Sequence, residues 1–276
     1  MATPREINRH MKSVGNIGKI TKAMKMVAAA RLRRAQEKAA ASRPYAIKIK
    51  EVLSNVVSDP SVLAGLDAKK HPLLQKREVQ KVGYLVLCSD KGLAGAYSSN
   101  ALKMAVAEIS ECEDEVVVIT CGRKARDFFT RRGFNVIQSH IGFSDRPTYE
   151  NAVDIAQDAI KTFASEGFDK LNIVYTVFKT ALSQIPTSEV ILPVEPPVKE
   201  EGKAQASFMF EPGEDDTLTV LAPKYLETVV YAALVQSAAS ELGSRMTAMS
   251  SATDNAAKLV SSLQLSYNKA RQAGIT

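Results

Sequence analysis

The first part of the chain carries apolar side chains at a helical spacing. From residue 4 to residue 58 they recur mostly three or four positions apart, and the segment is rich in residues that favour helices. Thr3, Pro4 and Glu6 match an N-cap, a first helical residue and a capping box. The pattern predicts one helix over 4–58, about 80 Å long at about 1.5 Å per residue. A bend is expected near Arg43, because a proline follows it.

The last part of the chain repeats this pattern with a more regular period. Between Pro223 and Thr276 there is no further proline, and apolar residues recur about every 3.5 positions once Arg245 is placed in the row. Neither helix would be stable alone in water, and the chain between them must return to the same end, so we expect antiparallel packing. Relative to alanine, Gly15 and Gly18 each destabilise the first helix by about 1 kcal/mol. We predict that they mark places where the second helix approaches closely.

The middle of the chain alternates short β-branched runs with helical stretches. This alternation predicts a mostly parallel sheet with helices on both faces, a Rossmann-like α/β domain. The predicted strands are Val82–Cys88, Glu115–Thr120, Phe134–Ile137 and Leu171–Val177, and the predicted helices are 98–111, 122–132 and 149–166. Two later runs predict an added antiparallel edge; they are Ser188–Pro193 and Ser207–Phe210, with an exposed loop at 196–203 between them.

These segments predict the fold class and the organisation of the chain. The class is α/β, with a long antiparallel two-helix coiled coil joined to the Rossmann-like domain. The boundaries are an N-terminal coiled-coil helix at 1–58, a linker at 59–81, the α/β domain at 82–215 and a C-terminal coiled-coil helix at 216–276. No run of about 18 uncharged apolar residues occurs, so we expect no helix that spans a membrane.

No cluster of residues predicts catalysis, a cofactor or a metal. The three cysteines lie in or beside segments with a strand-like sequence, so we expect buried thiols. The three histidines are scattered along the chain, so we expect no metal site. Ser89–Gly95 follows the first strand, where α/β folds bind phosphates, but it lacks the GxGxxG pattern and favours a tight turn. Gly15–Lys19 fails the P-loop spacing, and no triad order or GxSxG motif occurs. We predict a chain that is not an enzyme and binds no cofactor.

Positive charge is concentrated in one segment. Residues 1–58 carry thirteen basic and three acidic side chains, a net charge of +10, whereas the other 218 residues have a net charge of −4. A basic helix of this kind has three interpretations: a solvated surface, a nucleic-acid-binding surface, or a surface for an acidic protein partner. The segment has Tyr45 as its one aromatic residue, so a nucleic acid would be held by phosphate attraction without base stacking.

Four parts of the chain carry a family resemblance. They are Lys19–Ala28, the strand and turn over 83–95, Arg245–Ala256 and Tyr267–Thr276. In this order, and across essentially the whole chain, they closely resemble the γ subunits of F-type ATP synthases. The resemblance implies a rotor without chemistry of its own. Its coiled coil would stand inside three α and three β subunits, and its α/β domain would meet the ε subunit and the membrane ring of c subunits.

The same resemblance implies which residues contact partners. Solvated cations that face an acidic lever of the β subunit would form ion pairs worth about 0–1 kcal/mol each, which can break and re-form at every step. For Met24 the alternative role is packing in the seam, and we hypothesise that Met24→Lys impairs coupling. The expected β-contact residues are Met24, Lys25, Arg31, Arg33, Arg34, Arg245, Arg271, Gln272 and Thr276, and the expected turn of the base domain holds Lys91, Gly92 and Gly95.

The departures from the family lead to further expectations. Family members continue past the position equivalent to Thr276, so we expect a longer natural chain or a trimmed form. The regulatory cysteine pair of chloroplast members is missing and no presequence precedes Met1. We therefore expect a bacterial protein, peripheral on the cytoplasmic side of the plasma membrane, with the matrix side of the mitochondrial inner membrane as the alternative. A basic coiled-coil protein that binds nucleic acid is the alternative function.

Overall fold

The computed structural model describes residues 3–57, 71–194 and 214–273. Several sequence predictions lie outside these residues. They are the strand at Ser207–Phe210, the loop at 196–203, most of the linker at 59–81 and the contact at Thr276.

The described chain contains five long or medium helices and five strands. The helices are α1 (Pro4–Val57), α2 (Tyr97–Glu111), α3 (Arg123–Arg131), α4 (Tyr149–Ala164) and α5 (Glu214–Ala273), with a short 3-10 turn at Pro72–Leu74. The strands are β1 (Lys81–Leu87), β2 (Glu115–Cys121), β3 (Val136–His140), β4 (Lys170–Phe178) and β5 (Gln184–Leu192).

The five strands form one sheet in the order β3-β2-β1-β4-β5. β1 pairs in parallel with β2 and with β4, and β2 pairs in parallel with β3. β4 and β5 are antiparallel. The predicted fold class, a mostly parallel sheet with an antiparallel edge and two long terminal helices, is confirmed.

Each face of the sheet is covered by its own helices, because successive side chains of a strand point to opposite faces. Leu85 and Leu87 of β1 pack in the core that α4 and α5 cover. Tyr84 and Val86 of the same strand pack in the core that α2 and α3 cover, around the fully buried ring of Phe129. The helices thus lie on both faces, as the alternation of elements predicts.

Two strand predictions are displaced from the observed elements. β3 begins at Val136 and not at Phe134, because the ring of Phe134 packs edge-on against Phe129 at 5.2 Å before the strand starts. β5 begins at Gln184, upstream of the predicted Ser188, since an edge strand with one side open to solvent tolerates polar residues.

The cysteines are buried as predicted at two of their three positions. Cys88 and Cys121 are buried, and they belong to the cores on opposite faces of the sheet. Cys112 is half-buried, because it follows the last residue of α2 as the C-cap. Burial raises the pKa of Cys88 to about 12, so this thiol is unreactive at neutral pH.

The start of α1 has the predicted capping box. The backbone N–H of Thr3 donates to Glu6 Oε2 at 2.9 Å, and the N–H of Glu6 donates to the Thr3 hydroxyl at 3.4 Å. Helix α1 is continuous through Pro44. The expected bend near Arg43 stays a prediction.

The prediction for the two glycines of α1 is right for one and wrong for the other. A Cβ built at Gly18 would lie 3.3 Å from the Cβ of Ala256 on α5, so the helices approach closely there. A Cβ built at Gly15 would meet nothing within 4 Å, because this residue lies to the side of the contact.

By length and composition alone, one helix of the described chain could cross a membrane, so the prediction that no segment spans one is not confirmed. Helix α5 contains an 18-residue window of mean hydropathy 1.4 within Thr217–Ala273. Half of that window is buried inside the protein. The apolar character of α5 is therefore that of a core helix, which packs on the sheet and on α1.

Candidate functional site: the shaft and its junction with the sheet

Helices α1 and α5 form an antiparallel pair, called the shaft below. The hydroxyls of Thr21 and Thr253 lie 2.8 Å apart, and Lys25 Nζ donates to Ser250 Oγ at 2.9 Å. The contact between Gly18 and Ala256 continues the same register, since each step forward on α1 matches a step backward on α5. The antiparallel packing expected from the sequence is thereby confirmed.

The seam of the shaft follows heptad spacing on both helices. Leu32 and Ala35 of α1 pack with Ala239 and Leu242 of α5 in one small core. Such spacing keeps one narrow face of each helix against the other over its length. The buried seam positions are Val14, Thr21, Ala28 and Ala35 on α1, and Leu242, Met249 and Ala256 on α5.

A row of polar side chains on α5, called the polar ladder below, bonds to backbone groups of the α/β domain. Ser240 Oγ donates to the carbonyl of Thr176 at 2.9 Å, and Ser244 Oγ donates to the carbonyl of Ala94 at 2.7 Å. The ladder extends in both directions along the helix. Its members are Gln236, Ser237, Ser240, Ser244 and Thr247, whose partners lie in β4, in the turn after β1 and in the segment after β4.

A buried ion pair lies beside the ladder. Arg245 Nη2 lies 2.7 Å from Glu241 Oε1, and the two side chains are 10% and 1% exposed. The contact is close but poorly aligned as a hydrogen bond, so neither Glu241 oxygen has an aligned donor among the described residues. Burial raises the pKa of Glu241, although the Arg245 guanidinium acts in the opposite direction. Arg245 also donates to the carbonyl of Gly92 at 3.2 Å.

A second ionic contact ties α1 to the domain. The carboxylate of Asp145, in the segment before α4, accepts from the guanidinium of Arg31. Lys91 Nζ lies 3.4 Å from the same carboxylate. The positive charges of Arg31, Lys91 and Arg245 thus lie together at the turn after β1. The negative charges of Asp145 and Glu241 neutralise them in part.

Asp90 holds this turn in place. Its carboxylate accepts from the backbone N–H groups of Arg123, Gly142 and Ser144 at 3.1, 2.9 and 3.1 Å. Burial acts to raise the pKa of Asp90, but these backbone donors together hold the pKa below its ordinary value. An ionised Asp90 therefore fixes the turn after β1 to the loop before α4.

An apolar groove, called the shaft groove below, opens where α1 passes this turn. It has a volume of about 490 Å³. Exposed Ile20 and Val27 line it on α1, and Leu93 lines it on the turn. Met24 is half-buried in the same groove, beside Arg245. An apolar floor with cations at its edge suits an amphipathic acidic segment of another protein.

The remaining residues of the predicted contact set are spread along the shaft. Lys25 bonds across the seam to Ser250, Arg33 pairs with Glu37 at 3.2 Å, and Arg34 lines a small pocket with Asp145 and Arg146. Arg271 and Gln272 lie exposed near the end of α5. Gly95, in the predicted turn, has a φ of +53°, and a Cβ there would lie 2.9 Å from Ser244 Oγ.

The structure therefore gathers part of the predicted set and disperses the rest. Met24, Arg31, Arg245, Lys91 and Gly92 meet at the shaft groove. Arg245, predicted as a direct partner contact, is buried, because Glu241 and the turn enclose it.

Sequence reasoning missed Asp145, Glu241 and the polar ladder. The serines and threonine at 237, 240, 244 and 247 recur three or four apart on an otherwise apolar helix, and this was the available signal. Within the described ranges, no group of three or more His, Cys, Asp or Glu side chains is arranged to hold a metal.

Comparison with known proteins identifies the family. The family model described as ATP synthase matches residues 3–276. The ATP synthase gamma chain of Brevibacillus brevis is 46% identical over 275 residues, which cover 99% of this chain and 93% of the relative. That of Desulfitobacterium hafniense is 43% identical and covers 100% of this chain and 95% of the relative.

Solved structures show the same fold. The rotor of the mitochondrial ATP synthase of Euglena gracilis has a TM-score of 0.65 at 18% identity and covers 99% of both chains. The central stalk and c-ring structure from Tetrahymena thermophila has a TM-score of 0.62 at 23% identity, covering 84% of this chain and 99% of the other. The sequence and fold comparisons agree, and the chain belongs to the family of ATP synthase gamma chains.

Proposed function

We propose that this chain is the central rotor shaft of an F-type ATP synthase. It would transmit torque between the c-ring in the membrane and the catalytic hexamer of α and β subunits, and so couple ion flow to ATP synthesis. The observation that carries the proposal is the long antiparallel shaft, registered by Thr21 with Thr253 and Lys25 with Ser250, in a chain of this family.

The torque would enter through the α/β domain and leave through the shaft. The polar ladder supports this path, because it fixes α5 to the backbone of the domain at several levels along the helix. Rotation of the domain about the shaft axis would break these bonds together. A change of domain angle is therefore passed to the shaft and not absorbed at the junction.

The shaft surface suits a partner that must be released at each step. Lys12, Lys19, Lys22 and Lys25 of α1 are exposed, and exposed ion pairs contribute only about 0–1 kcal/mol each. An acidic lever of the β subunit would bind the shaft groove and these cations in one rotor position and leave them in the next. The energy of the complex would then depend on shaft angle, which is the requirement for mechanical coupling.

The residues proposed to contact the β subunit fall into two groups, one on α1 and one near the C-terminal end of the chain. The group on α1 holds Met24 and Arg31 at the shaft groove and Lys25, Arg33 and Arg34 elsewhere along the shaft, with Arg245 acting by holding the turn. At the other end of α5, Arg271, Gln272 and Thr276 would contact the β subunit. The α/β domain would meet the ε subunit and the c-ring, which makes the chain peripheral to the membrane.

The chain would have no active site or cofactor of its own. At the turn after β1, Ser89 and Ser98 bond to each other at 2.7 Å, and the carboxylate of Asp90 is occupied by three backbone donors. The side chains of Ser89, Ser98 and Asp90 are therefore already engaged within the protein.

Affinity purification of the full chain from its native membrane tests this function. We expect one copy of the chain for every three β subunits, with the ion-transporting ring in the same complex. A chain that elutes alone, or that binds duplex DNA with a steep salt dependence and without the hexamer, would contradict the rotor proposal.

A further inference from the structure

A cavity, called the tyrosine cavity below, lies where the C-terminal half of α1 meets α5 and the edge of the sheet. It has a volume of about 380 Å³, within the range of about 300–1,000 Å³ that is usual for small-molecule sites. Ile173, Tyr175 and Val177 line it from β4, two positions apart and therefore on one face of the strand. Ile49 lines it from α1, and Ala232 lines it from α5. Three elements thus leave a mostly apolar space between them.

One carboxylate gives this cavity a negative charge. Glu189 of β5 is the charged side chain among the described residues that line it, and the hydroxyl of Tyr175 donates to Glu189 Oε1 at 3.0 Å. Glu189 is exposed, so its carboxylate borders both the cavity and the solvent. Among the described residues, no Lys or Arg nitrogen lies within 4.0 Å of this carboxylate. A cation that enters the cavity would therefore meet a charge that the described residues leave unneutralised.

Two phenol rings share the cavity with this carboxylate. Burial and the charge of Glu189 raise the pKa of Tyr175 on β4, and the same two causes raise the pKa of Tyr225 on α5. Both phenols are therefore neutral at neutral pH, and the charge of Glu189 acts on both. The face of a neutral phenol ring carries negative potential and attracts cations, organic ammonium ions among them. The rings and the carboxylate thus favour a ligand of the same charge.

We propose that the tyrosine cavity binds a small organic cation with an apolar body, of the class of the arylalkyl ammonium ions. Its ammonium group pairs with Glu189 and lies against the rings of Tyr175 and Tyr225, and its hydrocarbon body packs between Ile49 and Ala232. A bare metal ion is disfavoured, because one carboxylate supplies too few oxygen ligands. An anion is disfavoured by the charge of Glu189. The site needs no other subunit, so it does not depend on the proposed rotor function.

A ligand in this cavity would contact three elements at once. Ile49 belongs to α1, Glu189 to the edge strand β5 and Tyr225 to α5, and all three residues line the same space. The ligand would therefore hold the C-terminal half of α1 against the α/β domain. Because the cavity exists only in the folded chain, the melting temperature should rise with the concentration of the ligand.

Three probes of similar size and different charge test the proposal. They are 4-phenylbutylammonium, 4-phenylbutanol and 4-phenylbutyrate, which share one apolar body. In calorimetric titrations of the full chain at neutral pH, we expect the ammonium ion to bind about fivefold more tightly than the alcohol, because the alcohol lacks the attraction to Glu189. We expect no measurable binding of the carboxylate probe. Equal affinities for the ammonium ion and the alcohol would overturn the proposal.

Two variants locate the binding. Glu189→Gln should lower the affinity for the ammonium ion about fivefold, to that of the alcohol, and Ala232→Leu should abolish binding of both by filling the cavity. The matched control is Glu113→Gln, an exposed carboxylate that does not line the cavity and should bind as the wild type does. Circular dichroism checks that each full chain is folded. Equal losses in the Glu189 and Glu113 variants, or binding that survives Ala232→Leu, would overturn the proposal and leave the rotor function to its own test of subunit stoichiometry.

Discussion

Gly122 connects β2 to α3 at a point where a side chain has no room. Its φ is +95°, and a Cβ built there would overlap the carbonyl oxygen of Cys88. Because both the backbone strain and the overlap oppose a side chain, we expect Gly122→Ala to lower the free energy of unfolding by about 2 kcal/mol or more. Urea denaturation of the full chain measures this change.

A second glycine supplies a control of opposite sign. Gly15 lies within α1, and a Cβ there would meet nothing within 4 Å. We expect Gly15→Ala to raise the free energy of unfolding by about 1 kcal/mol, since alanine is the better helix former. Equal denaturation midpoints for the Gly122 and Gly15 variants would contradict this account.

The stability of the folded chain is expected to depend on pH through Glu241. Burial raises its pKa in the folded chain above the ordinary value of 4.5, so the folded state binds this proton more tightly than the unfolded state does. The stability that comes from the protonated form is complete below pH 4.5 and is lost as the pH rises through the raised pKa. Relative to Glu241→Gln, which cannot ionise, the wild-type chain should therefore lose stability over that interval.

The difference between the two proteins isolates this one carboxyl group. Thermal unfolding of the full chain and of Glu241→Gln, followed at a series of pH values, measures the difference. Arg245 stays charged throughout, so its altered environment adds a constant offset and no slope. A difference in melting temperature that is flat from pH 4.5 upward would contradict the raised pKa.

At the scale of elements, α1 is joined to the domain at its far end by Leu53. This side chain is fully buried in the core shared by α4, α5 and the sheet. We expect Leu53→Ala to lower the free energy of unfolding by about 2–5 kcal/mol, because it leaves a cavity in a packed core. Ile47→Ala is the matched control on the same helix, since Ile47 is 53% exposed.

Denaturant unfolding separates the two outcomes. If α1 is anchored through Leu53, the Leu53 variant unfolds at lower urea and the Ile47 variant stays close to the wild type. Similar losses in both variants would mean that the end of α1 is not held by this core.

The sequence predicts well the elements that follow from rules acting between residues close together in the chain. The capping box of Thr3 and Glu6, the heptad row of α5 and the β-branched runs of β1 and β2 each repeat one local rule, so neighbouring residues reinforce the same conclusion. The strand β3 was displaced because Phe134 looks like a strand residue and is instead a core contact of Phe129.

The junction could not be predicted in the same way. Ser240 and Ser244 look like ordinary helix-surface residues until the carbonyl groups of Thr176 and Ala94 are placed opposite them. Asp145 and Arg31 are 114 positions apart, and their pairing depends on how the whole sheet packs against the shaft. A contact between distant segments leaves no local signal, so the candidate site became visible only with the fold.

At the scale of the whole molecule, the two helices of the shaft are expected to turn as one body. Thr21 contacts Thr253 and Gly18 lies close to Ala256, so small side chains fill the seam. This packing opposes sliding of α1 along α5. The polar ladder and the Arg31–Asp145 pair fix both helices to the domain. A covalent bond between the helices should therefore leave the transmission of torque intact.

The Thr21→Cys and Thr253→Cys double variant tests this rigidity. The native hydroxyls lie 2.8 Å apart, so thiols at these positions are within reach of a disulfide. Cys88 and Cys121 are buried with raised pKa values, and Cys112→Ser removes the half-buried thiol, which confines oxidation to the new pair. We expect ATP hydrolysis and ATP-driven ion transport by membrane vesicles to be unchanged on oxidation, with the Thr21→Cys single variant as the control. Loss of transport on oxidation, restored by a reductant, would show instead that the helices move against each other as the rotor turns.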